Sequence, residues 1–135
     1  GNPNNSTLLL ILEGMMITFY RSENRITFGD KSLECRPDFF AKGGAHEALP
    51  NGSYTCVADE PPAENNPAYG TFYISTGDYR GRDIHGGGSD LDDPFAPRQG
   101  WEPTYGCLRM QNEDGQELSY MIMDGGNSVP MEVVD

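Results

Sequence analysis

Glycine and proline interrupt this chain so often that they restrict it to short elements. The 135 residues include 17 glycines and 10 prolines, and both residue types favour turns and end helices and strands. A chain of this length fits one domain with its own hydrophobic core. We therefore expect a single, mostly β domain with many turns and little helix.

Apolar patterns typical of strands recur between these turns. Residues 8–12 are wholly apolar and 15–20 alternate, so 7–20 is expected to form a hairpin. A second hairpin is expected from 70–76 and 79–85, with a tight turn at 77–78. Other strands are expected at 24–28, 53–58, 106–110 and 129–134. The intervening segments 29–50, 59–68 and 89–103 are expected to be loops.

One segment late in the chain has helical periodicity. Its apolar stripe consists of Leu118, Met121 and Ile122. Asp114 is expected to cap this helix, with Glu117 as the reciprocal partner in a capping box. The glycines at 125 and 126 are expected to end it.

The charge of the chain excludes several classes of partner. The formal net charge is −12, with only nine lysines and arginines, so neither nucleic acid nor an anionic membrane surface is an expected partner. No apolar run approaches the ~20 residues that span a bilayer, so membrane insertion is not expected. We expect residues 1–6 to be a disordered spacer, left after removal of a secretion signal, and residues 7–135 to be one catalytic domain.

The three cysteines leave two interpretations open. Cys35 and Cys56 could form a disulfide, which would leave Cys107 as a free thiol. Alternatively all three are reduced, with two of them buried, since the sequence does not supply the geometry that a disulfide needs.

A histidine and a cysteine set among glycines suggest acyl-transfer chemistry. His85 is followed by Gly86, and Cys107 is preceded by Gly106, in a chain with two histidines. A thiol becomes a useful nucleophile at neutral pH when a base or cation is adjacent, and glycine leaves backbone N–H groups accessible to an oxyanion. Because the two residues are far apart in sequence, they meet only if the strands that carry them are neighbours in one sheet.

At these positions the chain resembles the YkuD-type L,D-transpeptidase catalytic domain. That family carries His-Gly, a loop, and then Ser-His-Gly-Cys-Ile/Val-Arg-Met/Leu, which His85-Gly86 and residues 106–110 match in part. The turn at 49–54 is similar to the family's Pro-x-Gly-x-Tyr/Phe turn. The resemblance implies a YkuD-like β-sandwich or barrel with one helix in the C-terminal half.

The resemblance also implies a mechanism and a substrate. Cys107 would attack a stem tetrapeptide of peptidoglycan and form a thioester, with His85 as the base. The Gly86 carbonyl would orient the imidazole, the N–H groups of Gly106 and Cys107 would form the oxyanion hole, and Arg109 would hold a stem carboxylate or brace the cysteine loop. The protein would act in the periplasm or outside the cell. No metal-ligand spacing is present, so neither metal nor cofactor is expected.

Three further side chains near the motif have more than one interpretation. Tyr105 would bind substrate as the hydrogen-bond donor that replaces the family's histidine. Trp101 would line a substrate groove or fill an apolar gap under the long loop. Asp83 would orient His85, or it would be solvated or pair with a neighbouring arginine.

The chain also departs from the family pattern, which keeps alternatives open. Thr104 and Tyr105 stand where the family usually has Ser and His. The turn before residue 53, together with the small size, is closer to the type VI secretion effector branch, some members of which cleave rather than cross-link. The alternatives to an L,D-transpeptidase are therefore an L,D-carboxypeptidase, a catalytically idle wall-binding module and a cysteine amidohydrolase acting on another peptide.

Overall fold

A closed barrel of eight strands forms the framework of the described structure. The computed structural model describes residues 15–37, 47–59 and 65–135. Around the barrel the strands follow the order β1-β2-β3-β7-β6-β5-β4-β8, and β8 closes the barrel by parallel pairing with β1. The strands are β1 Ile17–Tyr20, β2 Arg25–Phe28, β3 Lys31–Arg36, β4 Gly52–Ala58, β5 Tyr73–Ser75, β6 Ile84–His85, β7 Leu108–Met110 and β8 Val129–Val134.

The barrel interior is filled by the inward side of alternating strands. In β1 and β8 every second residue is buried, as expected where one face of a strand packs on a core. The helix α1, Asn112–Asp124, adds Leu118 and Ile122 to the same core. The predicted class, a mostly β single domain with one helix in its C-terminal half, is confirmed within the described ranges.

Several predicted strands are confirmed, and two segments differ from the prediction. β2, β4 and β8 lie where the apolar patterns indicated, whereas residues 31–36 are a strand and not part of a loop. β3 has only two apolar side chains, Leu33 and Cys35, set between polar and charged ones, and it is held by antiparallel pairing with β2 on one side and β7 on the other. The predicted half-hairpin at 8–12 lies outside the described residues.

The segment before β6 is a loop with internal hydrogen bonds, where the second strand of a hairpin was expected. Only Ile84–His85 pairs with β5, so residues 76–83 form a loop instead of the predicted two-residue turn. Asp78 causes this, because its carboxylate accepts hydrogen bonds from the backbone N–H groups of Arg80 and Arg82. It also forms a buried two-point ion pair with the Arg82 guanidinium, at 2.8 and 3.0 Å.

The helix begins two residues earlier than the predicted cap. The N–H of Asn112 donates to Gln99 Oε1 at 2.8 Å and the N–H of Glu113 donates to the Pro97 carbonyl, so the preceding loop satisfies the first turn. Asp114 therefore lies inside the helix, where it pairs with Arg98, and the predicted capping box is absent. The helix ends at Gly125 as predicted.

The structure bears on two expectations from the sequence, the Cys35–Cys56 disulfide and the absence of a membrane-spanning helix. Cys35, Cys56 and Cys107 are all free thiols, so the Cys35–Cys56 disulfide is not formed. Within the described ranges, no helix has the length and apolar character needed to cross a membrane.

We predict that Gly115→Ala destabilises the protein. A Cβ at Gly115 would lie about 2 Å from ring atoms of the buried Phe72, so helix and ring must separate, at a cost of about 1–3 kcal/mol in the free energy of unfolding. Gly125→Ala is the matched control, because its φ of −85° suits alanine and its nearest neighbours are 3.5 Å away. Urea denaturation measures both variants, and equal stability of the two would contradict this packing.

Candidate active site

Parallel pairing of β6 with β7 brings the two distant motifs together. Ile84 pairs with Leu108 and His85 pairs with Arg109, and the Leu108 N–H donates to the Asp83 carbonyl at 2.9 Å. Ile84 and Leu108 face the core, so His85 and Arg109 project from the outer side of the barrel, since strand side chains alternate. The expectation that the His85 and Cys107 segments are sheet neighbours is thus met.

His85 is a buried histidine with a defined tautomer. Its Nδ1 lies 2.9 Å from the Gly86 carbonyl oxygen, and because a carbonyl only accepts, Nδ1 carries the proton and Nε2 is the unprotonated nitrogen. The rings of Tyr69 and Tyr73 flank the imidazole, at centroid distances of 4.9 and 6.1 Å. Burial lowers the pKa of His85 to about 4, so the imidazole is neutral at pH 7 and able to accept a proton.

Cys107 lies immediately before β7, with its sulfur beside the loop that precedes β6. The Asp83 N–H donates to Sγ at 3.4 Å, and Sγ lies 3.8 Å from the Gly81 carbonyl. Burial raises the pKa of the Cys107 thiol, while the Asp83 N–H partly opposes that shift. The resting pair is therefore a neutral thiol and a neutral imidazole, and catalysis would require proton transfer during attack.

A cavity of about 370 Å³ exposes both groups. It combines the thiol and the imidazole with aromatic, hydroxyl and carboxylate side chains, so several polar groups converge on a mostly apolar wall. The lining residues are Ala68, Tyr69, His85, Ser89, Asp90, Glu102, Pro103, Thr104, Tyr105, Cys107 and Arg109. Of the residues predicted to bind substrate, Tyr105 and Arg109 line this cavity.

Trp101 lies elsewhere, outside the described lining of the cavity. Its ring packs against the Arg36 guanidinium, 4.1 Å from the ring centroid, on the strand next to β7. Two roles were expected for Trp101. This contact favours the second role, filling an apolar gap under the long loop, over lining a substrate groove.

Arg109 braces the loops around the site. Its guanidinium, which is almost fully buried, donates to the Gly86 carbonyl at 3.2 Å and to the Ala68 carbonyl at 3.2 Å. Further donation goes to the carbonyl oxygens of Glu102 and Pro103. Four carbonyls held by one side chain correspond to the bracing role, the second of the two roles expected for this arginine.

The predicted oxyanion hole is only partly available in this conformation. The Gly106 N–H donates to the Thr104 hydroxyl at 3.2 Å, and that hydroxyl donates to the Cys107 carbonyl at 2.6 Å. Gly106 has a φ of +121°, and a Cβ there would lie 2.4 Å from the Glu47 carbonyl oxygen, so glycine is required. The Gly106 N–H must leave Thr104 before it can bind an oxyanion.

Sequence reasoning missed the residues that reach the site from other segments. Tyr69 and Tyr73 carried no motif, and the predicted two-residue turn would have paired Tyr73 with Arg82, whereas the structure pairs it with His85. Asn112 was also missed: its side chain accepts from the Thr71 N–H and donates to the carbonyls of Pro94 and Ala96, which ties two loops to the helix. Within the described residues, no group of three or more potential metal ligands occurs.

Comparison with known proteins finds similar chains among the solved structures. No protein-family model matches the sequence, and neither does any curated protein sequence. L,D-transpeptidase 1 of Mycobacterium tuberculosis is similar at a TM-score of 0.46 and 12% identity, covering 89% of this chain and 60% of that one. An L,D-transpeptidase of Xylanimonas cellulosilytica is similar at a TM-score of 0.48 and 11% identity, covering 88% and 59%. The chain thus spans about 60% of the length of these structures.

We predict that Thr104→Val destabilises the segment 104–107 and so lowers the free energy of unfolding. The valine cannot accept from the Gly106 N–H or donate to the Cys107 carbonyl, and the loss of such buried partners costs about 1–3 kcal/mol of unfolding free energy. Thr104→Ser keeps the hydroxyl and should restore most of the stability in urea denaturation. A valine variant as stable as the unmodified protein would show that this hydroxyl does not hold the loop.

Protonation of His85 should destabilise the fold in acid. Its folded pKa of about 4 lies below the unfolded value near 6.5, so the unfolded chain binds the proton first as the pH falls. The stability that depends on a neutral His85 is fully present above about pH 6.5 and is lost as the pH falls toward 4. Relative to His85→Gln, the protein should lose about 2 kcal/mol between about pH 7 and pH 4.5. A constant stability difference between the two proteins over this range would contradict the buried, neutral imidazole.

Proposed function

We propose that this protein is a cysteine acyl transferase that acts on the stem peptides of peptidoglycan, as an L,D-transpeptidase. The observation that carries the proposal is the His85–Gly86 contact, because it leaves Nε2 as the proton acceptor in the cavity that also exposes the Cys107 sulfur. The match of residues 85–86 and 106–110 to the YkuD-type motif supports the choice of substrate.

The first half of the reaction makes a thioester. His85 Nε2 takes the proton from Cys107 Sγ as the sulfur attacks the amide carbonyl between the L-centre of the stem's diamino acid and the terminal D-Ala. The Cys107 N–H, with that of Gly106 once it leaves Thr104, stabilises the oxyanion, each donor worth about 2.7–4 kcal/mol in comparable sites. The imidazolium then protonates the departing amine, the C–N bond breaks, and D-Ala leaves.

The second half transfers the acyl group to an acceptor. An amine of a second stem loses a proton to His85 and attacks the thioester, which forms a new amide and restores the Cys107 thiol. Asp90 and Glu102 line the cavity, and their carboxylates favour the approach of an ammonium acceptor. With water as the acceptor the same site would act as an L,D-carboxypeptidase and release the tripeptide stem.

A wall-binding module without turnover is the second candidate. It is favoured by the Gly106 N–H bound to Thr104 and by the burial that raises the pKa of the Cys107 thiol. The rate of thiol alkylation at neutral pH separates the two, because an idle buried cysteine reacts slowly whereas one served by His85 reacts fast. Either activity would place the protein in the cell envelope or outside the cell, where peptidoglycan lies.

Mass spectrometry of the intact protein tests the nucleophile. Incubation with a tetrapeptide stem or a carbapenem should add the mass of the acyl group to the unmodified protein, and Cys107→Ala should show no added mass. Cys35→Ala is the matched thiol control, because Cys35 is fully buried in the core and its loss should leave acylation intact. Acylation that persists in Cys107→Ala would refute the assignment.

A further inference from the structure

A buried tyrosine–aspartate pair lies beside the site, and the mechanism above does not use it. The Tyr73 hydroxyl donates to Asp83 Oδ2 at 2.5 Å, while Thr76 donates to Oδ1 through its N–H at 2.9 Å and its hydroxyl at 3.2 Å. Asp83 is 7% exposed. A carboxylate removed from water and bound only by neutral donors is costly to bury, so its position calls for an explanation.

Each member of the pair contacts one of the two reacting groups. The Tyr73 ring stacks on the His85 imidazole, with a 10° angle between the planes, in the register pair of β5 and β6. The backbone N–H of Asp83 donates to Cys107 Sγ at 3.4 Å. A single side-chain hydrogen bond therefore connects the residue stacked on the base with the residue bonded to the nucleophile.

The carboxylate of Asp83 is also a local charge. The nearby Arg82 is engaged by Asp78 through two short contacts, and none of the ion pairs in the described ranges involves Asp83. The titratable and charged groups that act on His85 and Cys107 from the surrounding elements are Tyr69, Tyr73, Asp78, Asp83 and Arg109, and Asp90, Glu102 and Tyr105 line the same cavity. Arg109 is the cation of this set, and Asp83 is the carboxylate that acts on both reacting residues.

We propose that Tyr73 and Asp83 are positioning residues for Cys107 and His85, which hold the imidazole plane and the sulfur in place and set the negative charge beside them. The proposal rests on the proposed function of the site for its role in catalysis. When His85 takes the thiol proton, the Asp83 carboxylate stabilises the imidazolium, and the Tyr73 hydroxyl limits how strongly the same charge opposes the thiolate.

The two residues should affect the thiolate in opposite directions. Tyr73→Phe removes one hydrogen-bond donor from the carboxylate, so its charge is less neutralised and the pKa of Cys107 should rise. Asp83→Asn removes the charge, so the pKa of Cys107 should fall. A merely structural role would lower the melting temperature of both variants without shifting the thiolate pKa in opposite directions.

The experiment is the pH dependence of Cys107 alkylation by iodoacetamide, followed by peptide mass spectrometry. Tyr120→Phe is the matched tyrosine control, since Tyr120 is more than half exposed on the helix and does not line the cavity. Asp114→Asn is the matched aspartate control, since Asp114 pairs with Arg98 on the helix. Both controls should keep the unmodified midpoint.

The outcomes decide the proposal without any peptidoglycan substrate. Opposite shifts in the two variants support it, and no shift, or shifts in the same direction, overturn it. If Asp83→Asn does not fold, an upward shift in Tyr73→Phe still supports the proposal and an unchanged midpoint overturns it. Failure of the proposed function would appear separately, as the absence of an acyl-enzyme in a protein whose alkylation profile responds as expected.

Discussion

The parallel pairing of β6 with β7 is the interaction on which the site depends. These strands have two and three residues, and their register sets His85 opposite Arg109 and the Cys107 segment beside Asp83. Neighbouring strands in a sheet lie about 4.8 Å apart, so this pairing alone turns two remote sequence motifs into one reactive surface. The closed barrel supports the pair from both sides, through β5 and β3.

Strands this short need help from the loops that cover them. Arg109 collects carbonyl oxygens from three separate segments, and Asn112 joins two loops to the start of the helix. The Tyr73–Asp83 hydrogen bond adds a contact from β5. Fully satisfied buried hydrogen bonds hold side chains in one arrangement, which the proposed base and the proposed nucleophile would both need.

The sequence allowed prediction of the elements with strong periodicity, and it singled out His85 and Cys107, which line the same cavity. β4, β8 and the helix carry clear alternation or an apolar stripe, and the His-Gly and Gly-Cys pairs are local motifs. β3 was missed because it carries only two apolar side chains, Leu33 and Cys35, and partner strands hold it in place. The Asp78–Arg82 pair and the Thr104–Gly106 bond were missed for a related reason, since which polar group meets which donor depends on loop geometry.

The central claim is that Cys107 and His85 form one acyl-transfer site for peptidoglycan stems. Its most direct test is incubation of the protein with purified tetrapeptide muropeptides, followed by mass spectrometry of the products. The account predicts loss of the terminal D-Ala and new cross-linked or exchanged stems, and no change with Cys107→Ala or His85→Gln. Tripeptide as the sole product would identify water as the acceptor, whereas unchanged muropeptides, or turnover that survives in Cys107→Ala, would contradict the account.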